Sequence, residues 1–178
     1  MTVALNANQR LILDLIVDIP DFPKPGVVFK DITPLLASAA GLKATIDELV
    51  ALAPPRIDVV VGMEARGFIL AAPVALALGA GFVPVRKAGK LPRETHAVSY
   101  SLEYGEATLE VHQDGIGAGE RVLLVDDVLA TGGTVDATRQ LVESCGGVVH
   151  GAAVLLELTF LPGRATIGDL PMTALGRV

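Results

Sequence analysis

Short apolar segments alternate with stretches of helical periodicity along most of this 178-residue chain. The apolar segments are rich in valine, leucine and isoleucine, as is typical of strands buried inside a parallel sheet. The predicted strands lie at 57–61, 82–85, 107–111, 122–125 and 148–157. Apolar residues at helical spacing predict helices near 41–53, near 68–79 and from 134 onward. Strands and helices in alternation favour right-handed crossovers and a mainly parallel α/β sheet.

The N-terminal segment 1–36 has a different pattern. Apolar residues on one helical face predict an amphipathic first helix, and they are Leu11, Leu15, Ile16 and Ile19. Asn8 is a candidate N-cap for it. The prolines within 20–26 exclude further helix and predict an extended, stiff segment. A chain of this length fits one domain of 1–178, in which 1–36 precedes a core of 37–178.

Composition narrows the class of protein. Hydrophobic residues make up 51% of the chain and aromatic residues 4%, which predicts a core of aliphatic side chains. A net charge of −6 argues against a general nucleic-acid binder. The single cysteine, Cys145, cannot form an internal disulfide, and the N-terminus lacks a signal-peptide pattern. Prolines and glycines interrupt the uncharged segment 67–85, so we expect no membrane span and a cytoplasmic protein.

The most informative segment is 122–134, Val-Leu-Leu-Val-Asp-Asp-Val-Leu-Ala-Thr-Gly-Gly-Thr. Asp126 and Asp127 follow a buried strand, at the edge where open α/β sheets bind ligands. Burial of an unpaired carboxylate costs several kcal/mol, whereas the hydroxyl groups of a ligand would satisfy both carboxylates. The small residues that follow let backbone N–H groups approach an anion at a helix N-terminus. The segment therefore predicts a site for a ribose phosphate.

The loop after Asp127 also has a purely structural interpretation, since loops of this composition occur where a capped helix follows a strand. The segment lacks the lysine of a Walker P-loop and the glycine spacing of dinucleotide-binding folds. ATP and NAD are therefore poor candidate ligands.

Two further segments carry cationic side chains beside predicted strand ends. Arg66 follows the strand at 57–61 and is either a surface salt-bridge partner or an anion clamp. Arg86, Lys87 and Lys90 lie on a loop marked by glycine and proline in a chain that is acidic overall. Clustered cations repel one another, and a polyanion such as pyrophosphate would offset that repulsion.

The strand-to-loop segment 122–134 resembles the phosphoribosyl-pyrophosphate signature of the type I phosphoribosyltransferases. The resemblance extends over nearly the whole chain and is closest to the adenine-specific members of that family, through segments 22–36, 64–68, 86–92 and 101–105. It implies a type I phosphoribosyltransferase fold: a mainly parallel twisted sheet flanked by helices, with a small N-terminal hood and a flexible loop. The hood is the segment 1–36.

The same resemblance implies a role for each candidate residue. The ribose 5-phosphate would bind to Asp126, Asp127, Ala130, Thr131, Gly132, Gly133 and Thr134. The pyrophosphate would bind to Arg66, Arg86, Lys87 and Lys90, and adenine to Val28, Phe29 and Lys30. Glu103 would handle the purine proton and Tyr104 would close over the site. Phe29 and Glu103 have plainer alternatives, a residue of the hood core and a solvated loop charge.

By resemblance, the reaction transfers 5-phosphoribosyl from its 1-diphosphate to N9 of adenine and releases AMP and pyrophosphate. Mg²⁺ would be held mainly through the substrate, near Asp126 and Asp127. The partners implied are these small-molecule substrates and a second copy of the chain in a homodimer. The alternatives left open are xanthine or hypoxanthine-guanine specificity and a non-catalytic sensor of the diphosphate donor.

Overall fold

The computed structural model describes residues 5–101 and 106–178, and the chain divides into two compact units, Met1–Glu48 and Leu49–Val178. The first unit begins with helix α1, Ala7–Asp14, followed by strands β1, Val17–Pro20, and β2, Val28–Asp31. These strands pair in antiparallel register, with Asp18 opposite Lys30. Helix α2, Thr33–Ala37, and helix α3, Ala39–Leu52, follow them.

The start and end of α1 differ from the prediction. Asn6 caps the helix, because its side chain accepts a hydrogen bond from the backbone of Gln9 while the Gln9 side chain accepts one from the backbone of Asn6. The predicted cap, Asn8, is wrong, since its amide donates to Glu48 instead. The helix ends at Asp14, and Ile19 lies in strand β1.

The second unit is built on a seven-stranded mixed sheet. Its strands are β3 Val59–Met63, β4 Gly81–Lys87, β5 Thr95–Ser101, β6 Glu106–His112, β7 Arg121–Leu129, β8 Val148–Glu157 and β9 Met172–Arg177. Its remaining helices are α4 Arg66–Leu78, α5 Gly133–Ser144 and α6 Gly163–Ile167. The strand order is β5-β6-β4-β3-β7-β8-β9. The strands from β4 to β9 in this order pair in parallel, whereas β6 pairs antiparallel with β4 and β5.

Aliphatic side chains fill the core of this unit. Every residue of β3 is buried, and β7 is buried from Val122 to Asp127, as expected for strands covered on both faces. Helix α5 buries Val135, Leu141 and Val142 against the sheet, so its amphipathic pattern is confirmed. The mainly parallel α/β architecture is confirmed as well.

The structure also contains elements that were not predicted from the sequence: β1, β2, α2, β5, α6 and β9. The predicted polar excursion over 86–105 is wrong in part, because Thr95–Ser101 forms an edge strand paired with β6. Edge strands are half exposed and carry polar residues, so they lack the continuous apolar pattern used for the central strands. Within the described ranges, no helix is long and apolar enough to cross a bilayer.

The strand order identifies the ligand-binding edge of the sheet. From β3 the chain passes through α4 to β4 on one side, whereas β7 and β8 extend the sheet on the other side. Open α/β sheets bind ligands at such a reversal of strand order, beyond the carboxyl ends of the strands. The carboxyl ends of β3 and β7 meet here, since Gly62 lies opposite Val125.

Candidate active site

Asp126 and Asp127 lie side by side near the carboxyl end of β7. The strand continues to Leu129 rather than ending at Val125, because Asp126 and the residues after it still pair with β8. Both side chains are buried, and Asp126 Oδ1 accepts a hydrogen bond from the Asp127 backbone at 2.9 Å. Burial raises the pKa of Asp126 well above its ordinary value, and the neighbouring Asp127 charge raises it further.

Gly67 gives Asp126 the space it occupies. A Cβ atom at position 67 would lie 2.8 Å from Asp126 Oδ1 and 3.0 Å from the Val125 carbonyl oxygen. The start of α4 can therefore approach β7 this closely only without a side chain at position 67. The sequence motif Glu-Ala-Arg-Gly contains this glycine, but its contact with Asp126 could not be read from the pattern.

Arg66, the first residue of α4, pairs with Asp127. Its Nε lies 2.7 Å from Asp127 Oδ2, and the Arg66 side chain is 40% exposed while that of Asp127 is 7% exposed. The contact is ionic without good hydrogen-bond geometry, since the buried Oδ2 atom has no hydrogen-bond partner among the described residues. Of the two readings of Arg66, the structure supports a salt bridge, but its partner is a candidate ligand-binding carboxylate.

The segment 130–134 forms the turn between β7 and α5, which we call the phosphate loop. Gly132 adopts a left-handed conformation with φ of 87° and precedes the helix, which begins at Gly133, one residue before the predicted start. No side chain among the described residues caps α5. The first N–H groups of an α-helix lack intrahelical acceptors, so those of the phosphate loop are available to an anion.

Helix α6 packs against the backbone of the phosphate loop. A Cβ atom at Gly132 would lie 2.7 Å from the Gly163 carbonyl oxygen, and one at Gly163 would overlap the Ala130 carbonyl oxygen. Arg164 holds α6 in place through two hydrogen bonds to the buried Glu157 at the end of β8, of 2.7 and 2.8 Å. The hydrogen bond from Arg164 lowers the pKa of Glu157. This support could not be predicted from the sequence, because α6 is too short to show periodicity.

The cationic loop 86–90 is organised around a carboxylate. Glu64 Oε1 accepts from Lys90 Nζ at 2.5 Å, and its Oε2 accepts from the Lys87 backbone at 2.9 Å and from Arg86 Nε at 3.3 Å. Sheet register causes this arrangement, since Met63 lies opposite Val85 and the next residues are therefore adjacent. Burial by itself would raise the pKa of Glu64. The hydrogen bonds from Lys90, the Lys87 backbone and Arg86 outweigh the effect of burial, so the pKa is lowered.

Glu64 supplies a structural reason for the cluster of cations, which the sequence alone does not show. Its side chain is 8% exposed, so its charge is compensated mainly by Arg86 and Lys90. In the described part of the chain, the Lys87 ammonium forms no ion pair. The loop thus combines two cations already paired internally with one that points to solvent.

Tyr100, near the end of β5, contacts the phosphate loop. Its hydroxyl lies 3.0 Å from Thr134 Oγ1, and a Cβ atom at Gly133 would lie 2.7 Å from its ring. Tyr100 is not among the site residues predicted from the sequence. Period-two alternation over 97–100 could have found it, since Val98 and Tyr100 are half buried while Ala97 and Ser99 are exposed.

The candidate adenine-binding residues lie together on β2 in the first unit. Val28 is exposed, and the Phe29 ring packs edge-on against Phe22 with ring centroids 5.2 Å apart. Lys30 Nζ contacts both carboxylate oxygens of Asp18, at 2.6 and 2.7 Å. The Lys30 ammonium is therefore held across the strand pair.

Two candidate residues, Glu103 and Tyr104, lie outside the described residues. The described ranges contain no group of three or more His, Cys, Asp or Glu side chains able to hold a metal ion.

Comparison with known proteins identifies the family. A phosphoribosyl transferase domain profile matches residues 29–159. An adenine phosphoribosyltransferase of Nocardioides sp. is 66% identical over 168 residues, which cover 92% of this chain and 91% of that protein.

Solved structures agree. The crystal structure of adenine phosphoribosyltransferase from Thermoanaerobacter pseudethanolicus matches with a TM-score of 0.93 at 48% identity, over 96% of this chain and 99% of that one. The enzyme from Saccharomyces cerevisiae, complexed with adenine and an imino-altritol bisphosphate, matches with a TM-score of 0.88 at 36% identity, over 95% and 98% of the two chains. This chain belongs to the phosphoribosyltransferase family, among the adenine phosphoribosyltransferases.

Proposed function

We propose that the protein transfers the 5-phosphoribosyl group from 5-phosphoribosyl 1-diphosphate to N9 of adenine, giving AMP and pyrophosphate in purine salvage. The curated relatives and the solved neighbours that match nearly the whole chain carry the name of this activity. The observation in the molecule that supports it most is the pair of buried carboxylates beside an uncapped helix N-terminus.

Asp126 and Asp127 would bind the ribose hydroxyl groups. Asp127 Oδ2 is buried beside Arg66 but accepts no hydrogen bond in the described ranges, so a hydroxyl donor from a ligand would supply one. Arg66 lies beside the same oxygen and would shift toward the diphosphate as the ribose binds. The Asp pair is therefore matched to a ligand that brings hydroxyl groups.

The phosphate loop, with Ala130, Thr131, Gly132, Gly133 and Thr134, would bind the 5′-phosphate. Its support is the uncapped start of α5, where N–H groups and the helix dipole favour an anion. The threonine hydroxyls of the loop add further donors.

Arg66, Arg86, Lys87 and Lys90 would bind the pyrophosphate. Lys87 offers an exposed ammonium, and Arg86 and Lys90 are held in place by Glu64. A departing pyrophosphate accumulates negative charge, so fixed cations at this position would stabilise the transition state.

Val28, Phe29 and Lys30 would contact adenine from the hood. An exposed valine and a half-buried phenylalanine ring offer the apolar surface that a purine face requires. Glu103 would handle the proton at the purine and Tyr104 would close over the reaction, roles that rest on the resemblance of segment 101–105.

Mg²⁺ would be held mainly through the diphosphate donor, near Asp126 and Asp127. The donor set fits such an arrangement, since two adjacent carboxylates provide hard oxygen atoms but too few for a protein-only site. When bound, the ion would offset charge on the leaving pyrophosphate. The protein's own residues would bind the ribose and orient the donor.

A homodimer is the proposed assembly. Helix α4 exposes Ile69 and Leu76 seven residues apart on one face, with 45% and 83% of their surfaces accessible. Phe82 is also exposed, and its ring packs edge-on against Phe68 of the same helix. Large apolar side chains exposed on a helix face are a candidate protein interface. Sedimentation should show that Leu76→Ser weakens the dimer. Val148→Ser, which changes an exposed apolar residue of β8, should leave the dimer intact.

The proposed domain organisation is a single domain, 1–178, with the hood at 1–36 and the core at 37–178. A cytoplasmic location without nucleic-acid or membrane partners is supported by the lone, half-buried Cys145 and the acidic composition.

One assay tests the activity. Purified protein is incubated with 5-phosphoribosyl 1-diphosphate, Mg²⁺ and one of adenine, hypoxanthine, guanine or xanthine, and nucleotide formation is followed. We expect turnover with adenine at least tenfold more efficient than with the other bases. Turnover with an oxopurine instead would support the alternative specificities. Donor binding without turnover of any base would support the sensor.

A further inference from the structure

Strand β5 contacts the phosphate loop through Tyr100, near its carboxyl end. It is an edge strand paired only with β6, and one of its faces packs against the core through Val98 and Tyr100. Ser99, on the opposite face, bonds to Thr108 of β6 at 2.7 Å. The strand therefore has a fixed orientation, with Tyr100 directed toward α5.

Tyr100 makes two contacts with the phosphate loop. Its hydroxyl lies 3.0 Å from Thr134 Oγ1, and its ring covers Gly133 so closely that a Cβ atom there would lie 2.7 Å away. A threonine hydroxyl has one proton and two acceptor sites. If the tyrosine donates to Thr134, the Thr134 proton is directed elsewhere and can be donated to a phosphate oxygen.

We propose that Tyr100 is a positioning residue that orients the Thr134 hydroxyl toward the 5′-phosphate. This inference rests on the proposed function and extends it to the geometry of the 5′-phosphate site. Hydroxyl groups in such a chain polarise one another, so each strengthens the other's hydrogen bond.

The test is Tyr100→Phe, which keeps the ring over Gly133 and removes only the hydroxyl. We expect the KM for the donor and the inhibition constant of ribose 5-phosphate to rise about threefold to tenfold, the range produced by loss of one hydrogen bond. The KM for adenine and the inhibition constant of pyrophosphate should stay within about twofold of wild type.

The matched control is Ser99→Ala, which removes the hydroxyl that bonds to Thr108 on the opposite face of the same strand. This variant should leave all constants unchanged. Thr134→Val should make the further change Tyr100→Phe nearly silent, because the two hydroxyls act as one unit. Equal losses for ribose 5-phosphate and pyrophosphate, or no loss at all, would overturn the proposal. So would tighter binding of ribose 5-phosphate, since Tyr100 would then block the site.

Failure of this proposal and failure of the proposed function give different results. If the wild-type protein forms AMP and the Tyr100→Phe variant has the same constants as wild type, the proposed function stands and the positioning role of Tyr100 is wrong. If the wild-type protein forms no nucleotide, the proposed function is wrong. Protection of the wild type against thermal unfolding by ribose 5-phosphate, reduced in Tyr100→Phe, then still supports the contact between Tyr100 and a phosphate site.

Discussion

The two candidate anion sites at the sheet edge are built in opposite ways. The phosphate loop is fixed by backbone contacts with α6, and its helix N–H groups have no internal anion among the described residues. In the cationic loop 86–90, by contrast, the Glu64 carboxylate already accepts from Arg86 and Lys90. If the donor binds as proposed, its ribose 5-phosphate half meets a preformed site, whereas its pyrophosphate half must share cations with the protein.

The largest expected effect comes from Gly132→Ala. The new Cβ would lie 2.7 Å from the Gly163 carbonyl oxygen, and φ of 87° is strained for alanine, so the phosphate loop must move. We expect kcat/KM for the donor to fall about 100-fold, equivalent to about 2.7 kcal/mol of transition-state binding.

Gly89→Ala is the matched control in the cationic loop. Its φ of 80° imposes the same backbone strain, but no atom lies within 4 Å of the added Cβ. We expect a loss below about fivefold. Equal losses in the two variants would contradict the claim that the phosphate loop is the more rigidly packed of the two.

Asp126→Asn should change stability and ligand binding in opposite directions. Because burial raises the pKa of Asp126 above its ordinary value of 3.8, the folded protein binds more protons than the unfolded chain between the two values. The free energy of unfolding should therefore fall as the pH rises through that window. The substituted amide carries no charge and keeps an Oδ1 acceptor for the Asp127 N–H. Above the window we expect the variant to be more stable by about 1–3 kcal/mol, while donor binding is lost.

Urea unfolding at a series of pH values measures this difference. Asp114→Asn is the control, since this exposed carboxylate pairs with Arg93 and its lowered pKa has the opposite sign. A variant at position 126 that is less stable than wild type at a pH above that window would show that the buried carboxylate is stabilised by partners rather than kept for a ligand.

Asp127→Asn tests the ribose assignment. The change replaces an acceptor oxygen that lies buried without a hydrogen bond and removes the charge facing Arg66. We expect catalytic efficiency to fall at least tenfold, or about 1.4 kcal/mol, with the loss larger for the donor than for adenine. Wild-type kinetics in this variant would remove Asp127 from the ribose site.

The positions of the two loops could be predicted from the sequence, but the contrast between them could not, and the reason is physical. The apolar segments located β3, β7 and β8, because strands buried on both faces leave a continuous signal, and they located β4 although only Val85 of that strand is buried. They also located Asp126 and Asp127, since two carboxylates after such a strand need partners. The partnership of Glu64 with the cationic loop could not be predicted, because it depends on the register between β3 and β4.

The N-terminal strand pair and β5 show the same limit. Val17–Pro20 is exposed throughout, and Thr95–Ser101 alternates weakly at an edge, so neither has the apolar run that reveals a core strand. The contact between Tyr100 and Thr134 joins positions 34 residues apart. Contacts of that range follow from packing rather than from local pattern.

Glu64→Gln carries the smallest expected effect and bears most directly on the difference between the two loops. Removal of the charge leaves Arg86 and Lys90 without their internal carboxylate, so pyrophosphate should no longer compete with it. We expect the inhibition constant of pyrophosphate to fall about threefold, which corresponds to ~0.6 kcal/mol of binding free energy. Binding of ribose 5-phosphate should be unchanged.

Stability supplies the second readout for this variant. The pKa of Glu64 is lowered, so the stability that its charge contributes is present above the ordinary value of 4.5 and is lost as the pH falls through the lowered value. Glu64→Gln should be less stable than wild type at neutral pH, and the difference should disappear in acid. Glu110→Gln is the control, since this carboxylate accepts from the Gly89 backbone without pairing to Arg86 or Lys90. Weaker pyrophosphate binding in Glu64→Gln would show that Glu64 orders the loop for its ligand, and the two halves of the donor site would then both be preformed.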